Sequence, residues 1–345
     1  MHYNKLILIL IFFLTGCYQN ETMQKKDYIF GTIVEVTIYG ETEDNATHAI
    51  DLVFNEFHRL HRYLHPWEKS IVQDINQSIK NEEIYTTQDE EIFSIIKHNQ
   101  ELELKTHGYF NPAIGKLIQA WGFHAEQFAI DRPNASLIDN LQRNLPHMSE
   151  INLHNGYIDS KNKNIQLDLG GYAKGYALDQ AKKILSENNI NNALINIGGN
   201  ILALGLHGDR HWVVGIQNPR KPSPIASIIL KPGWSIGTSG DYQRYFIVDN
   251  QRYSHLIDPN TGYPANNSQS ATILFPPTES SGTLSDVYSK PLFIAPEKLK
   301  YSLAKELGID FYMIVMADGK ISISSSMLNL IKWHEKIDEN NITVH

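Results

Sequence analysis

The sequence predicts an α+β fold of mixed, largely antiparallel sheets with packed helices. Three observations carry this. Strand-like runs meet at hairpin signals, Asp249-Asn250 and Asp318-Gly319. Segments with helical periodicity lie between the strand groups. Strands and helices do not alternate in the strict rhythm of a parallel sheet. No linker, repeat or low-complexity tract divides the chain, so residues 27–345 read as one compact unit with room for two lobes.

The N-terminus reads as a processed leader. "MHYNK" supplies one lysine, and Leu6 to Leu14 form a nine-residue apolar run, too short to span a bilayer. The run ends in "LTGC", and Cys17 is the only cysteine of the chain. Small residues before a cysteine resemble a bacterial lipoprotein processing site. On that reading residues 1–16 are the signal peptide, Cys17 carries the lipid, and residues 17–26 are a polar tether. The alternative is an ordinary cleaved leader with an incidental cysteine. With Cys17 lipidated, the mature domain has no thiol nucleophile, disulfide or cysteine-rich metal site.

The elements follow in order. "YIFGTIVEVTIYG" alternates as a strand. Ala49, Leu52, Val53, Phe57, Leu60 and Leu64 recur at helical spacing over 45–64. Thr87 and Glu90 read as a capping box that opens a second helix, stopped by Gly108. "NASLIDNL" is a short helix, and "GYIDSKNKNIQLDL" a hairpin turning at residues 161–164. "GYAKGYALDQAKKILSENN" is a helix running into the buried strand "ALINIGG". The strands "WVVGIQ", "ASIIL" and "ATILF", the helix "PEKLKYSLAKELG" and hairpins over 244–258 and 311–324 complete the chain.

Thirty Lys and Arg against 38 Asp and Glu give a net charge of −8, which excludes non-specific nucleic-acid binding. Neither a P-loop nor GxGxxG is present. Several stretches carry both a functional and a plain reading. "NIGGN", Asn196 to Asn200, lets backbone approach a ligand or forms a tight turn. "LDLGGYAKGYALD" places Asp168, Gly170, Gly171 and Lys174 at a helix start, suited to an anion, or is a simple strand-to-helix connection. His255 beside the rigid "DPNTGYP" loop is a general base or a loop-bonded histidine. "GYFNPAIGKLIQAWGF" stacks on a flat ring or joins the core. His58, His61 and His65 have metal-compatible spacing but no acidic partner set, and read as a solvated face. In "SDVYSKPLFI", Asp286 and Lys290 stand at i and i+4, as a surface ion pair or part of a site, before a proline that stops the helical pattern.

Together these stretches resemble the ApbE family of FAD:protein FMN transferases, from about Asp27 to about Ser325. "FGTIVEVTIYG" resembles the opening strand of the family, with Phe30 in place of the usual Met. "WEKSIVQDIN", "GYFNPAIGKLIQAWGF" (Asn111 replacing an Asp), "LDLGGYAKGYALD", "LINIGGN", "IGTSGDYQRYF", "HLIDPNTGYP" and "SGTLSDVYSK" follow in the family order. The resemblance implies binding of FAD and Mg²⁺ and transfer of FMN to a Thr or Ser of a partner protein, releasing AMP. It implies FAD contacts at Phe30, Tyr109, Phe110, Asn111, Asp168, Lys174 and Leu256, with His255 as base. The Gly171 carbonyl and Asp286 would hold the metal. One departure stands out: the family's Thr ligand, four residues after the acid, is Lys290 here, with Ser289 nearby as a substitute oxygen. Lys290 would either replace the cation in part or leave a weakened metal site. A flavin-binding lipoprotein without transfer, or an FAD pyrophosphatase, are the rival functions. The implied partner is an acceptor subunit of a quinone reductase or electron-transfer complex. The implied location is a lipid anchor on the periplasmic side, inner membrane favoured, although Tyr18 after Cys17 fits outer-membrane sorting.

Overall fold

The computed structural model describes residues 22–125 and 131–345. Its spine is a nine-stranded sheet whose spatial order equals its chain order: Thr22–Ile29, Thr32–Tyr39, Ala193–Ile197, Asn200–Leu204, Ser235–Gly240, Ser268–Phe275, Phe311–Met316, Ile321–Ile323 and Ile342–Val344. Every neighbour pair is antiparallel except the last, which is parallel. The helices are α1 (Glu43–Tyr63), α2 (Ile71–Asn81), α3 (Glu90–Lys105), α4 (Gly115–Ala120), α5 (Ala135–Arg143), α6 (Gly170–Glu187), α7 (Ser281–Ile294), α8 (Glu297–Glu306) and α9 (Ser325–Leu328). The α+β expectation holds.

The central strands are covered on both faces, and their side chains divide with the period of two. Leu202, Leu204 and Ile273 join the core formed with α1, α6 and α7. Ile201, Ala203 and Leu274 point the other way, into a core closed by the three-stranded sheet of Trp212–Gln217, Pro224–Leu230 and Ile331–Trp333. A third, smaller core surrounds Trp121, joining α4 and α5 to the hairpin of Tyr245–Val248 and Gln251–Ser254.

Some expectations need correction. The first strand is a hairpin: Ile29 pairs with Thr32, and Phe30-Gly31 make a two-residue turn with φ of 55° and 68°. Glycine supplies that conformation freely, so a Phe there is strained. The expected tether overlaps strand at residues 22–26, because their backbone groups pair with Glu35–Tyr39. The leader, Cys17 and the rest of the tether lie outside the described residues. The cap of α3 is Asp89, whose carboxylate accepts from the Glu91 and Ile92 amides. Thr87 instead accepts from the Asp89 amide. The hairpin expected to turn at 161–164 turns at Asn155-Gly156, where Gly156 takes φ 82°. Pro291 does not stop α7, which runs on to Ile294. A proline removes one helical N–H, but every residue of α7 except Leu284 is buried, and that packing holds the helix.

Two backbone approaches fix α7 in place. A Cβ at Gly175 would lie 2.6 Å from the Gly282 carbonyl oxygen, and one at Gly237 would lie 2.2 Å from that of Ser285. Asp179, from α6, accepts from the Gly282 and Thr283 amides at 2.7 and 2.8 Å, and so caps α7 from outside it. Gly237→Ala should therefore force the helix from the sheet and destabilise the protein by about 1–3 kcal/mol. Thermal or denaturant unfolding measures this; an unchanged midpoint would mean that the contact relaxes freely.

Candidate active site

The chain folds these glycine-punctuated segments around one cavity of about 680 Å³, within the roughly 300–1,000 Å³ typical of small-molecule sites. Phe30, Tyr109 and Phe110 give it aromatic wall, and Leu256 adds an aliphatic one. Asp168, Gly171, Lys174, His255, Asp286 and Lys290 line its polar part.

Each is set by its element. The turn holds Phe30 against Phe57 and edge-on to His61, with centroids 6.2 and 5.6 Å apart. Asn111 ties its own loop: Nδ2 donates to the Pro146 carbonyl at 2.8 Å and Oδ1 accepts from the Ala113 amide. Asp168 is carried by a short ladder in which its amide donates to the Pro112 carbonyl and the Gly115 amide to that of Gln166. A Cβ at Gly115 would lie 2.5 Å from the Gln166 carbonyl, so glycine is needed there. Burial pushes the Asp168 carboxyl up, against the Gly170 amide, the Trp67 indole and Arg244. Lys174 stands one turn into α6, whose first amide, that of Gly170, donates to the Asp168 carboxylate at 2.9 Å. Amides and lysine together make an electropositive floor.

"NIGGN" serves both of its readings. It is the tight turn between Ala193–Ile197 and Asn200–Leu204, with Gly198 and Gly199 at φ 59° and 94°, and both glycines line the cavity.

His255 is half-buried. Its Nδ1–H donates to the Arg244 carbonyl at 3.2 Å, which leaves Nε2 as the proton acceptor. Burial, then the Arg244 and Lys174 charges, pull its pKa down to about 3. The imidazole is neutral, in a site crowded with cations.

The pair at the centre of α7 is not on the surface. Lys290 Nζ donates to Asp286 Oδ1 at 2.6 Å and to the Asp286 carbonyl at 2.8 Å. Asp286 Oδ2 accepts from the Gly175 amide at 3.0 Å. Burial pulls the Lys290 ammonium down while Asp286 holds it up. Ser289 does not reach the cavity. One helical residue from Lys290 it is rotated by about 100°, and its hydroxyl meets Ser239 and the Asp286 carbonyl, both at 2.7 Å. The three histidines of α1 and its exit do not share one point: His61 and His65 meet edge-on with centroids 5.5 Å apart, but His65 accepts from the Trp67 and Glu68 amides and His58 turns to Asp27 at 2.8 Å. Among the described residues no group of three metal-binding side chains exists.

A family model described as the ApbE family matches residues 30–313. The chain belongs to the ApbE family. It is 32% identical over 300 residues to the FAD:protein FMN transferase of Rhodobacter capsulatus, a match covering 87% of this chain and 56% of that protein. It is 26% identical to that of Treponema pallidum, covering 89% of this chain and 88% of that protein. The chain thus spans little more than half of the first relative. Among solved structures, the ApbE protein of Thermotoga maritima superposes with a TM-score of 0.81 at 29% identity, covering 90% of this chain and 99% of that one. The flavin transferase ApbE of Vibrio cholerae, 22% identical with the same coverage, gives 0.77 and supports the fold.

On the resemblance drawn from the sequence, Mg²⁺ would be held from Gly171 and Asp286. The residues here do not fit it. Lys290 runs between them: a Cβ at Gly171 would lie 2.8 Å from Lys290 Cε and 3.4 Å from Phe110. The ammonium occupies Asp286 Oδ1. A divalent ion left within about 4 Å of it would be repelled by roughly 8 kcal/mol at an effective dielectric of about 20.

Sequence reading missed Arg244 and Trp67. Arg244 lies inside the quoted "IGTSGDYQRYF", and an arginine in a ligand loop was a usable signal. The Gly175 amide and Asp179 gave no local signal, since their partners lie 111 and 103 residues away.

The neutral His255 sets a pH dependence. Unfolded, its pKa is about 6.5; folded, it is about 3. The unfolded chain takes the proton first, so His255 subtracts stability as pH falls from about 6.5 toward 3. Without ligand, His255→Gln should lose less unfolding free energy than the wild type between about pH 6.5 and 4.5. Denaturant titrations at each pH check this; parallel losses would show that His255 is not held neutral.

Proposed function

We propose that this chain is an FAD:protein FMN transferase. The observation that carries the reading is His255, its accepting Nε2 free in a cavity whose floor pairs Lys174 with the start of α6. A neutral base beside fixed positive charge suits attack by a hydroxyl on a pyrophosphate. The acceptor Thr or Ser oxygen forms a bond to the FMN phosphorus, and its proton passes to His255. The bond from that phosphorus to the bridging oxygen breaks, and AMP leaves with the electron pair. Positioning and charge neutralisation supply most of the acceleration in such transfers. The aromatic wall of Phe30, Tyr109 and Phe110 suits a flavin ring. Lys174 and the α6 amides suit the phosphates, and bound phosphates would offset the cations that depress His255.

The FAD contacts implied by the resemblance stay part of this proposal, with Asn111 acting through the loop it ties. Ser289 is left out, because its hydroxyl faces the sheet. The acceptor is a flavoprotein subunit presenting a Thr or Ser in an exposed loop, of the quinone reductase or electron-transfer type.

Incubation with FAD and such an acceptor domain should give covalent flavin, seen as in-gel fluorescence. His255→Ala should lower the rate about 10²–10⁴-fold while FAD binding persists. AMP release without covalent flavin would favour a pyrophosphatase, and flavin binding with neither product a carrier.

The leader adds a location. Lipidation of Cys17 would hold the domain on the periplasmic face of a membrane, the inner one where such acceptors reside. Cys17→Ala should move the protein to the soluble fraction, and membrane retention of the variant would overturn the anchor. No described helix is long and apolar enough to cross a membrane.

A further inference from the structure

We infer that Lys290 is the resident cation of the transfer site, so that FMN transfer by this chain needs no divalent metal. The inference rests on the transferase reading above. Its support is the geometry between α6 and α7.

First, the acid is already engaged on both oxygens. Oδ1 accepts from Lys290 Nζ at 2.6 Å and Oδ2 from the Gly175 amide at 3.0 Å. Second, the space is filled. The Lys290 stem crosses the Cα of Gly171 so closely that a Cβ there would meet Cε at 2.8 Å, and Phe110 closes the same gap at 3.4 Å. Third, the lysine is well held and yet faces the cavity. It is buried to 9% exposure and lines the cavity together with Asp286. An ammonium has three donors. Two go to Asp286, one to the carboxylate and one to the carbonyl. The third remains for a ligand oxygen.

The chemistry balances without a metal. The hydroxyl oxygen bonds to the FMN phosphorus, the proton goes to His255 Nε2, and the bond to the bridging oxygen breaks toward AMP. Charge grows on the departing phosphate, where a fixed ammonium stabilises it without reorganising. One charge replaces two, but Lys174 and Arg244 line the same cavity and add positive charge there. A buried lysine beside a fixed carboxylate is a point charge of defined place.

The test uses the full chain, with AMP release and covalent flavin read in chelator or in Mg²⁺, and Mn²⁺ binding read by electron paramagnetic resonance with FAD present. The wild type should turn over in chelator within about twofold of its rate in Mg²⁺ and bind no Mn²⁺, since its cation is built in. Lys290→Thr opens the space and should become metal-dependent: a loss of about tenfold or more in chelator, restored by Mg²⁺, with Mn²⁺ now bound. Lys290→Met keeps the stem without the charge and should be slow in both conditions. A wild-type rate that collapses in chelator and returns with Mg²⁺, or Mn²⁺ bound by the wild type, overturns the inference. If Lys290→Thr does not fold, the wild-type measurements and Lys290→Met decide alone. If the wild type shows no turnover with or without Mg²⁺, the transferase reading fails; Mn²⁺ binding then still decides whether Lys290 fills the cation place.

Discussion

The closeness of α7 to its neighbours governs this structure. Two close backbone approaches, Gly175 against Gly282 and Gly237 against Ser285, let one helix sit between α6 and the central sheet. Any Cβ at these points would meet backbone within 3 Å. Packing of that kind is what carries the helix past Pro291 and buries a chain of Thr, Ser, Asp and Lys without exposing them. Most of their hydrogen bonds are met inside, with Asp179 on the first turn, Ser281's carbonyl on Ser235 and Ser289 on Ser239, while the Ser281 hydroxyl has no partner among the described residues. The Asp286–Lys290 pair follows from this, because the same crossing brings the Gly175 amide to the acid.

The electrostatics form a second layer. Lys174 has no carboxylate partner among the described residues, Arg244 stands behind His255, and Lys290 is matched only by Asp286. Half-buried positive charge of this kind is costly until an anion enters. Burial first, and these charges second, hold the His255 imidazole neutral. The site thus sets fixed positive charge beside an aromatic wall of Phe30, Tyr109 and Phe110.

Much of this was legible in the sequence, for a physical reason. Segments whose conformation is dictated locally, such as the paired glycines at 198–199 and the turn at Asp249-Asn250, declare themselves through residue type. The glycine pairs at 170–171 and 198–199 also line the cavity, beside the named residues Phe30, Tyr109, Phe110, Lys174, His255 and Asp286. The errors fell where distant parts decide. Pro291 looked like a stop because its burial was invisible. Ser289 looked like a ligand because one residue of helix rotation separates sheet from cavity. The cap of α3 moved from Thr87 to Asp89 because both residue types accept backbone amides equally well. The sequence did show that Lys290 was out of place; only the structure showed that its stem passes over Gly171.

The external cap on α7 bears on how the molecule is made. Asp179 and the amides it holds are 103 residues apart, and Asp286 and the Gly175 amide 111. Contacts of that separation require long loops to close before they reward the chain. A chain that has not closed these loops therefore lacks both the external cap of α7 and the second partner of Asp286. Asp286 and Lys290 lie one turn apart in a single helix, but the carboxylate gains its second partner, the Gly175 amide, only when α6 and α7 cross.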